Sequence, residues 1–437
     1  LHGIPVLVKD NYDLEGTATT AGSLALANWA SKKDAFVVQK LKEAGAVIIA
    51  KANLSEFASS AVDSHSLIGG YVHNPYDLTR SPAGSSGGSG AAVTCNFAAI
   101  GYGTDTGGSI RNPSSWCNLY GIRPSKGLTS IDGVFPLEVS RDTTGPLART
   151  AEDMALGLEV IAGTDPKDDF TQEADASALL GDGYTKYLSK DGLKGKRIGY
   201  LNSSFSYTSK KDEKDENSEE VLHEPDPKVS QMIKRTRADL KKAGATFVDM
   251  SDVLTDDYIM DVYRDCAEHD DVYTTEYDIN KYLHDHDGNT PCSTMKELLE
   301  TGKYGIEYTN LEREKDEYAS SFEETENPYT AEINGFKRKE LWNKILTYRA
   351  AINDVMNEKN VDAIMFVQDI NVPVHDTEDI NNNMDQLIAN ANAAGRAYSF
   401  ILPAYLGNPD RVLPMGFSET DGSCTIPMPL GMHFIGK

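Results

Sequence analysis

The sequence predicts an α/β protein, and three observations carry that expectation. "IPVLVKD" and "AVIIAKA" are β-rich runs, and "DAFVVQKLKEAGA" (34 to 46) between them has apolar residues at helical spacing with Gly45 as its stop. The same order returns in "KRIGYLN" (196 to 202), "PKVSQMIKRTRADLKKAGA" (227 to 245) and "TFVDM". "VDAIMFV" (361 to 367) reads as a further buried strand. A strand, helix, strand order implies a parallel crossover.

Composition bounds the rest. The 437 residues are 40% hydrophobic and 25% charged, which is ordinary globular composition and enough to bury a sizeable core. A formal charge of −25 argues against a nucleic-acid backbone or an anionic membrane as main partner. No run of about 18 apolar residues is present, so no membrane-spanning segment is expected. The chain starts abruptly in "LHGIPVLVKD" and stops abruptly in "GMHFIGK", so both ends are expected to be truncated and the compartment is not read. Oligomeric state is not read either.

Two segments interrupt the pattern. Residues 203–228, containing "SKKDEKDENSEEVLHEPDP", have few apolar residues and are expected to form an acidic surface loop. Residues 255–357 are Tyr-, Glu- and Lys-rich with helical stretches, and are expected to be a helical insertion lying on the sheet. Cys95, Cys117, Cys266, Cys292 and Cys424 are odd in number and widely spaced, which reads as free buried thiols. His284 and His286 in "HDHD" point apart on a helical stretch and are read as a solvated face, not a metal site. His2, His65 and His73 receive no role.

The chemistry concentrates in "PAGSSGGSGAAVTCNFAAIGYGTDTGGSIRNP" (82 to 113), which contains no histidine. Ser86 satisfies the G-x-S-x-G pattern of a nucleophile elbow, but that turn needs a strand before it, and "NPYDLTRSPA" reads as a loop. A phosphate cradle is not supported either, because G-x-x-x-x-G-K-[ST] is absent. "SGGSGAAVTCNFAA" reads instead as a tightly packed helix, with Ser86 and Ser89 as caps at its start. Ser109 is the better candidate. Thr106, Gly107 and Gly108 before it allow a sharp curl whose N–H groups, with that of Ser109, could converge on one oxyanion. Asp105 and Arg111 flank the loop with opposite charge and are expected to pair and stiffen it.

At this point the segment resembles the amidase signature family, with its Gly/Ser-rich stretch followed by G-T-D-T-G-G-S-[apolar]-R. "HGIPVLVKDN" resembles that family's lysine-bearing strand, "AGAVIIAKANLSEFA" its next strand and helix, "RDTTGPLARTAEDMALGLEVIAG" its D-T-x-G-P-x-A-R segment, and "LPMGFSETDGSCTIPMPLGMHFIGK" its closing hairpin. The resemblance implies one domain over 1–437: a large mixed, mostly parallel central sheet covered by helices on both faces. Residues 1–165 would be the catalytic core and 361–437 the returning core strands.

It also implies roles. The nucleophile falls on Ser109, a bridging serine with a cis peptide bond before it on Ser85, and the base on Lys9. The base would be neutral, since burial away from carboxylates lowers a lysine pKa. The implied activity is hydrolysis of a carboxamide C–N bond through an acyl-enzyme, without metal or organic cofactor, on a small-molecule or peptide amide. "NPYDLTRSPAGSSGGSG" is similar to peptide-amidase-like members, although "TDTGGS" stands where T-E-T-D-G-S is expected of them. The alternative is the A subunit of a glutamyl- or aspartyl-tRNA amidotransferase, acting as glutaminase beside partner subunits. A non-catalytic binding protein on the same fold is disfavoured, because all three positions are filled.

Overall fold

The computed structural model describes residues 1–201, 207–210, 220–223, 226–267, 275–286, 288–304, 332–333, 336–367, 373, 403–420 and 426–437. Ten strands form one sheet: β1 (Pro5–Lys9), β2 (Val47–Ala52), β3 (Ile100–Asp105), β4 (Tyr120–Arg123), β5 (Thr143–Ala148), β6 (Arg197–Tyr200), β7 (Thr246–Asp249), β8 (Ala363–Phe366), β9 (Asp410–Phe417) and β10 (Pro429–Ile435). Their spatial order is β7-β6-β8-β10-β9-β4-β5-β3-β1-β2. The large mixed sheet expected from the sequence is therefore present. Its flanks are parallel, β3 and β2 on either side of β1, and β8 and β7 on either side of β6. The middle is antiparallel and ends in the β9–β10 hairpin.

Each flank is one of the crossovers read from sequence. In the first, β1 leads through α1 (Phe36–Glu43) to β2, and Gly45 ends the helix at a φ of +77° that favours glycine. Helices α2 (Gly87–Thr94), α3 (Arg111–Trp116) and α4 (Ala151–Ile161) follow. The Thr150 side chain accepts from the Asp153 amide at the start of α4. In the second crossover, β6 leads through α5 (Pro227–Lys242) to β7. Asp226 caps α5, Pro227 opens it, and Lys241 and Lys242 sit in the last turn where the dipole favours cations.

Alternation along β1 assigns the two faces of the first flank. Val6 and Val8 pack with Val37, Val38 and Leu41 of α1 and with Met154, Leu158 and Ile161 of α4. Leu7 packs on the opposite face with Ala52 and Ala98. A period of two then puts Lys9 on the Leu7 face, the one that α2 covers. There β3 carries Gly101 and Gly103. A Cβ on Gly103 would stand 2.7 Å from Ser86 Oγ, so only glycine lets the serine-bearing turn lie directly on the strand.

Within 255–357 the described residues include helices Asp256–Ala267, Thr275–His284, Met295–Glu300 and Arg338–Glu358 and a short antiparallel pair, Glu332–Ile333 with Phe336–Lys337. Leu341, Trp342, Ile345 and Met356 pack with Ile364 and Phe366 of β8, while Tyr282, Leu283 and Leu298 pack with Phe57 and Phe135. In 203–228, Tyr207–Lys210 and Glu220–His223 pair antiparallel, and the remainder up to residue 225 lies outside the described residues.

Three surface expectations change. His284 is exposed, but His286 is buried, with Nε2 2.8 Å from Asp13 Oδ2 and Nδ1 2.7 Å from the Tyr282 carbonyl. The chain has left its helix at His284, so helical spacing no longer governs residue 286. Cys95 is exposed, whereas Cys117, Cys266 and Cys292 are buried free thiols; Cys424 lies outside the described residues. Ser86 and Ser89 do not cap α2 with their side chains. Ser86 Oγ lies 3.2 Å from the Thr104 carbonyl and 3.3 Å from the Thr104 amide, and Ser89 Oγ donates to the Tyr102 carbonyl, because α2 rests on β3 rather than on solvent.

Candidate active site

Lys9 is completely buried at the end of β1. Its Nζ lies 2.6 Å from Ser85 Oγ and 2.8 Å from Thr104 Oγ1, which also accepts from Asn11 Nδ2 at 3.1 Å. No carboxylate forms a salt bridge with Lys9 among the described residues. Burial pulls its pKa from 10.5 down to about 7, with Asp142 and Asp105 opposing the fall from a distance. A buried amine held by hydroxyls can be a base near neutrality.

Ser85 stands after a cis Gly84–Ser85 peptide, at the position read from the resemblance. Its carbonyl accepts from the Ser55 amide (3.1 Å) and the Ser64 hydroxyl (3.3 Å), and the Gly84 amide donates to the Ala61 carbonyl (3.0 Å). A Cβ on Gly84 would meet the Asp63 carbonyl oxygen at 1.8 Å, which excludes any other residue there.

Ser109 is buried in the turn between β3 and α3, and its carbonyl accepts from the Ser86 amide at 3.1 Å, joining the two serine-bearing loops. Gly108 has a φ of +131°, which curls the chain. The amides of Thr106, Gly107 and Ser109 have no hydrogen-bond acceptor among the described residues. The Gly108 amide does, donating to Asp105 Oδ1 at 2.8 Å. Unpartnered N–H groups on a curled backbone form a ready site for a negative oxygen.

Asp105 and Arg111 pair as expected, Nε to Oδ2 at 3.0 Å. Sequence reasoning missed the partners that complete this cluster. Arg123 Nη1 lies 3.0 Å from Asp105 Oδ1, Arg111 Nη1 lies 3.0 Å from Asp410 Oδ2, and His433 Nδ1 is 3.1 Å from the same oxygen. Burial alone would raise the Asp105 pKa, but the two guanidinium groups and the Gly108 amide outweigh it and hold the carboxyl well below the usual range. Among the described residues no group of three or more His, Cys, Asp or Glu side chains could hold a metal ion, and no helix is long and apolar enough to cross a membrane.

The pattern of the amidase family matches this chain over residues 1–437, and the chain belongs to that family. Among its relatives, the A subunit of the glutamyl-tRNA(Gln) amidotransferase from Deinococcus radiodurans is 44% identical over 205 residues, 47% of this chain and 41% of that protein. A probable amidase of Arabidopsis thaliana is 46% identical over 206 residues, 46% of this chain and 40% of that protein. The native peptide amidase of Stenotrophomonas maltophilia superposes with a TM-score of 0.71 at 27% identity, over 100% of this chain and 79% of its own. Each match thus spans about two fifths of the length of these curated relatives, and nearly four fifths of the solved peptide amidase.

Proposed function

We propose that this chain hydrolyses a carboxamide C–N bond by acyl transfer, with Ser109 as nucleophile, Ser85 as proton relay and Lys9 as general base. The observation that carries the reading is the buried Lys9 amine, 2.6 Å from Ser85 Oγ and poised to lose its proton near pH 7. Ser109 Oγ attacks the amide carbon while its proton passes through Ser85 to Lys9. The negative oxygen that forms is held by the amides of Thr106, Gly107 and Ser109, since the Gly108 amide is already given to Asp105. The proton returns through Ser85 to the leaving amine, and water then releases the acid. None of these steps calls on a metal or organic cofactor.

A freestanding amidase acting on a small or peptide amide is the preferred form, supported by structural likeness to a peptide amidase over the whole chain. The 44% identity to an amidotransferase A subunit supports the second reading, glutamine hydrolysis beside partner subunits. The charge of −25 is compatible with that reading, because a partner subunit could make the tRNA contact. Release of ammonia or amine from a panel of small amides, peptide amides and glutamine tests both. Turnover of peptide amides by the isolated chain supports the first reading, and glutaminase activity that appears only with co-purified partners supports the second. No release from any of them overturns the hydrolase reading.

A further inference from the structure

Asp142 has no part in the steps above, yet it touches the loop that performs them. It is buried just before β5. Its Oδ1 accepts the hydroxyl of Thr106, the first residue of the unpartnered amide turn. Its Oδ2 accepts the amides of Leu137 (2.9 Å) and Glu138 (3.0 Å), and its own amide donates to the Glu138 carbonyl at 2.7 Å, so residues 137–142 close on themselves. Its carbonyl accepts from Lys126 Nζ at 2.8 Å, and that buried ammonium lies 4.2 Å over the Phe170 ring.

We propose that Asp142 is a positioning residue: its carboxylate holds the Thr106 hydroxyl and through it fixes the Thr106 amide that faces the reacting oxygen. The assignment rests on Ser109 being the nucleophile. A turn rich in glycine has little rigidity of its own. One end of this turn is held by the Asp105–Gly108 bond, and the Thr106–Asp142 bond holds the other. The carboxylate has no cation within salt-bridge distance among the described residues. Its charge is therefore less compensated than that of Asp105, which Arg111 and Arg123 answer. These two aspartates are the carboxylates whose field reaches Lys9.

The test is the labelling rate of the full chain by a fluorophosphonate. Ser109 Oγ forms the O–P bond, the P–F bond breaks, fluoride leaves, and the hydroxyl proton goes through Ser85 to Lys9, while the phosphoryl oxygen occupies the amide turn. Thr106→Val keeps the shape and removes the hydroxyl; it should slow labelling by about 30-fold, whereas Thr106→Ser should stay within about threefold of wild type. Asp142→Asn should slow labelling and also move the midpoint of its pH dependence down by roughly half a unit or more, because a negative charge near Lys9 is lost. Thr106→Val should leave that midpoint where it is. Wild-type labelling speed in Thr106→Val overturns the proposal alone, as does an Asp142→Asn variant unchanged in both rate and midpoint. A wild-type chain that is never labelled on Ser109 overturns the nucleophile reading and this proposal with it.

Discussion

Two groups of buried charge lie at the ends of the adjacent strands β1 and β3, and they behave in opposite ways. Lys9 has hydroxyl partners within bonding distance and carboxylates only beyond it, and its proton is loosened to about pH 7. Asp105, equally buried, has two guanidinium groups at 3.0 Å and holds its charge firmly. Burial penalises both charged forms, so burial does not distinguish them. The difference is whether an opposite charge is supplied at contact distance, and it separates a group that can exchange a proton from one that can only hold a loop.

The contrast can be broken at several points. On the proposed mechanism, Ser109→Ala should lose on the order of 10⁶ in turnover with the fold intact. Circular dichroism and an amide-release assay check both halves, and activity within about tenfold of wild type would remove Ser109 from its role. Ser85→Ala should fall heavily too, but leave more residual activity, because water can partly replace a relay.

Lys9 should set the pH dependence. In wild type, kcat/KM should rise with pH through about 7 as the amine loses its proton. Lys9→Met should abolish that rise with most of the rate, and Lys9→Arg should fail as well, because a guanidinium keeps its proton. Near-normal activity in Lys9→Arg would show that the side chain works as a fixed charge. Stability carries the same signature. The folded pKa of about 7 lies below the unfolded 10.5, so between those values the unfolded chain binds more protons at this site and folding strengthens as pH rises. Lys9→Met should lose a slope of roughly 1.4 kcal/mol per pH unit in that window, read from denaturant titrations at several pH values.

Breaking the paired cluster should cost stability first. Arg111→Met leaves Asp105 with one cation and should destabilise by about 3 to 5 kcal/mol, measured as a lower denaturation midpoint. The smallest effect expected is at Ser86. Ser86→Ala removes hydrogen bonds to the Thr104 backbone and should cost about 0.5 to 1.5 kcal/mol, with a far smaller loss of rate than Ser85→Ala.

What is legible in the sequence follows from range. Lys9 can be found because its strand and the G-T-D-T-G-G-S turn are contiguous patterns that carry the resemblance, whereas the face it takes follows from the pleat of β1 only once the packing of Val6, Leu7 and Val8 is known. Both crossovers are legible for the same reason. Arg123, Asp410 and His433 are not, since Arg111 and Asp410 stand 299 positions apart and nothing local in "NPDRVLP" marks the aspartate as a partner for a glycine-rich turn. Asp142 lies inside the D-T-x-G-P-x-A-R segment, but its proposed role depends on a bond to Thr106, 36 residues upstream. His286 is misplaced by helical spacing because its burial depends on Asp13, 273 residues before it.

The Arg111–Asp410 bond also has a meaning in time. A ribosome delivers the signature turn about three hundred residues before the β9 aspartate, so throughout that interval Arg111 lacks one of the carboxylates it pairs with among the described residues. Residues 1–165 hold every side chain assigned to the chemistry, yet they do not hold the electrostatic closure of their own core. A nascent chain that has formed the first crossover is in this sense unfinished at its centre until the β9–β10 hairpin, to which no reacting atom is assigned, brings Asp410 to Arg111.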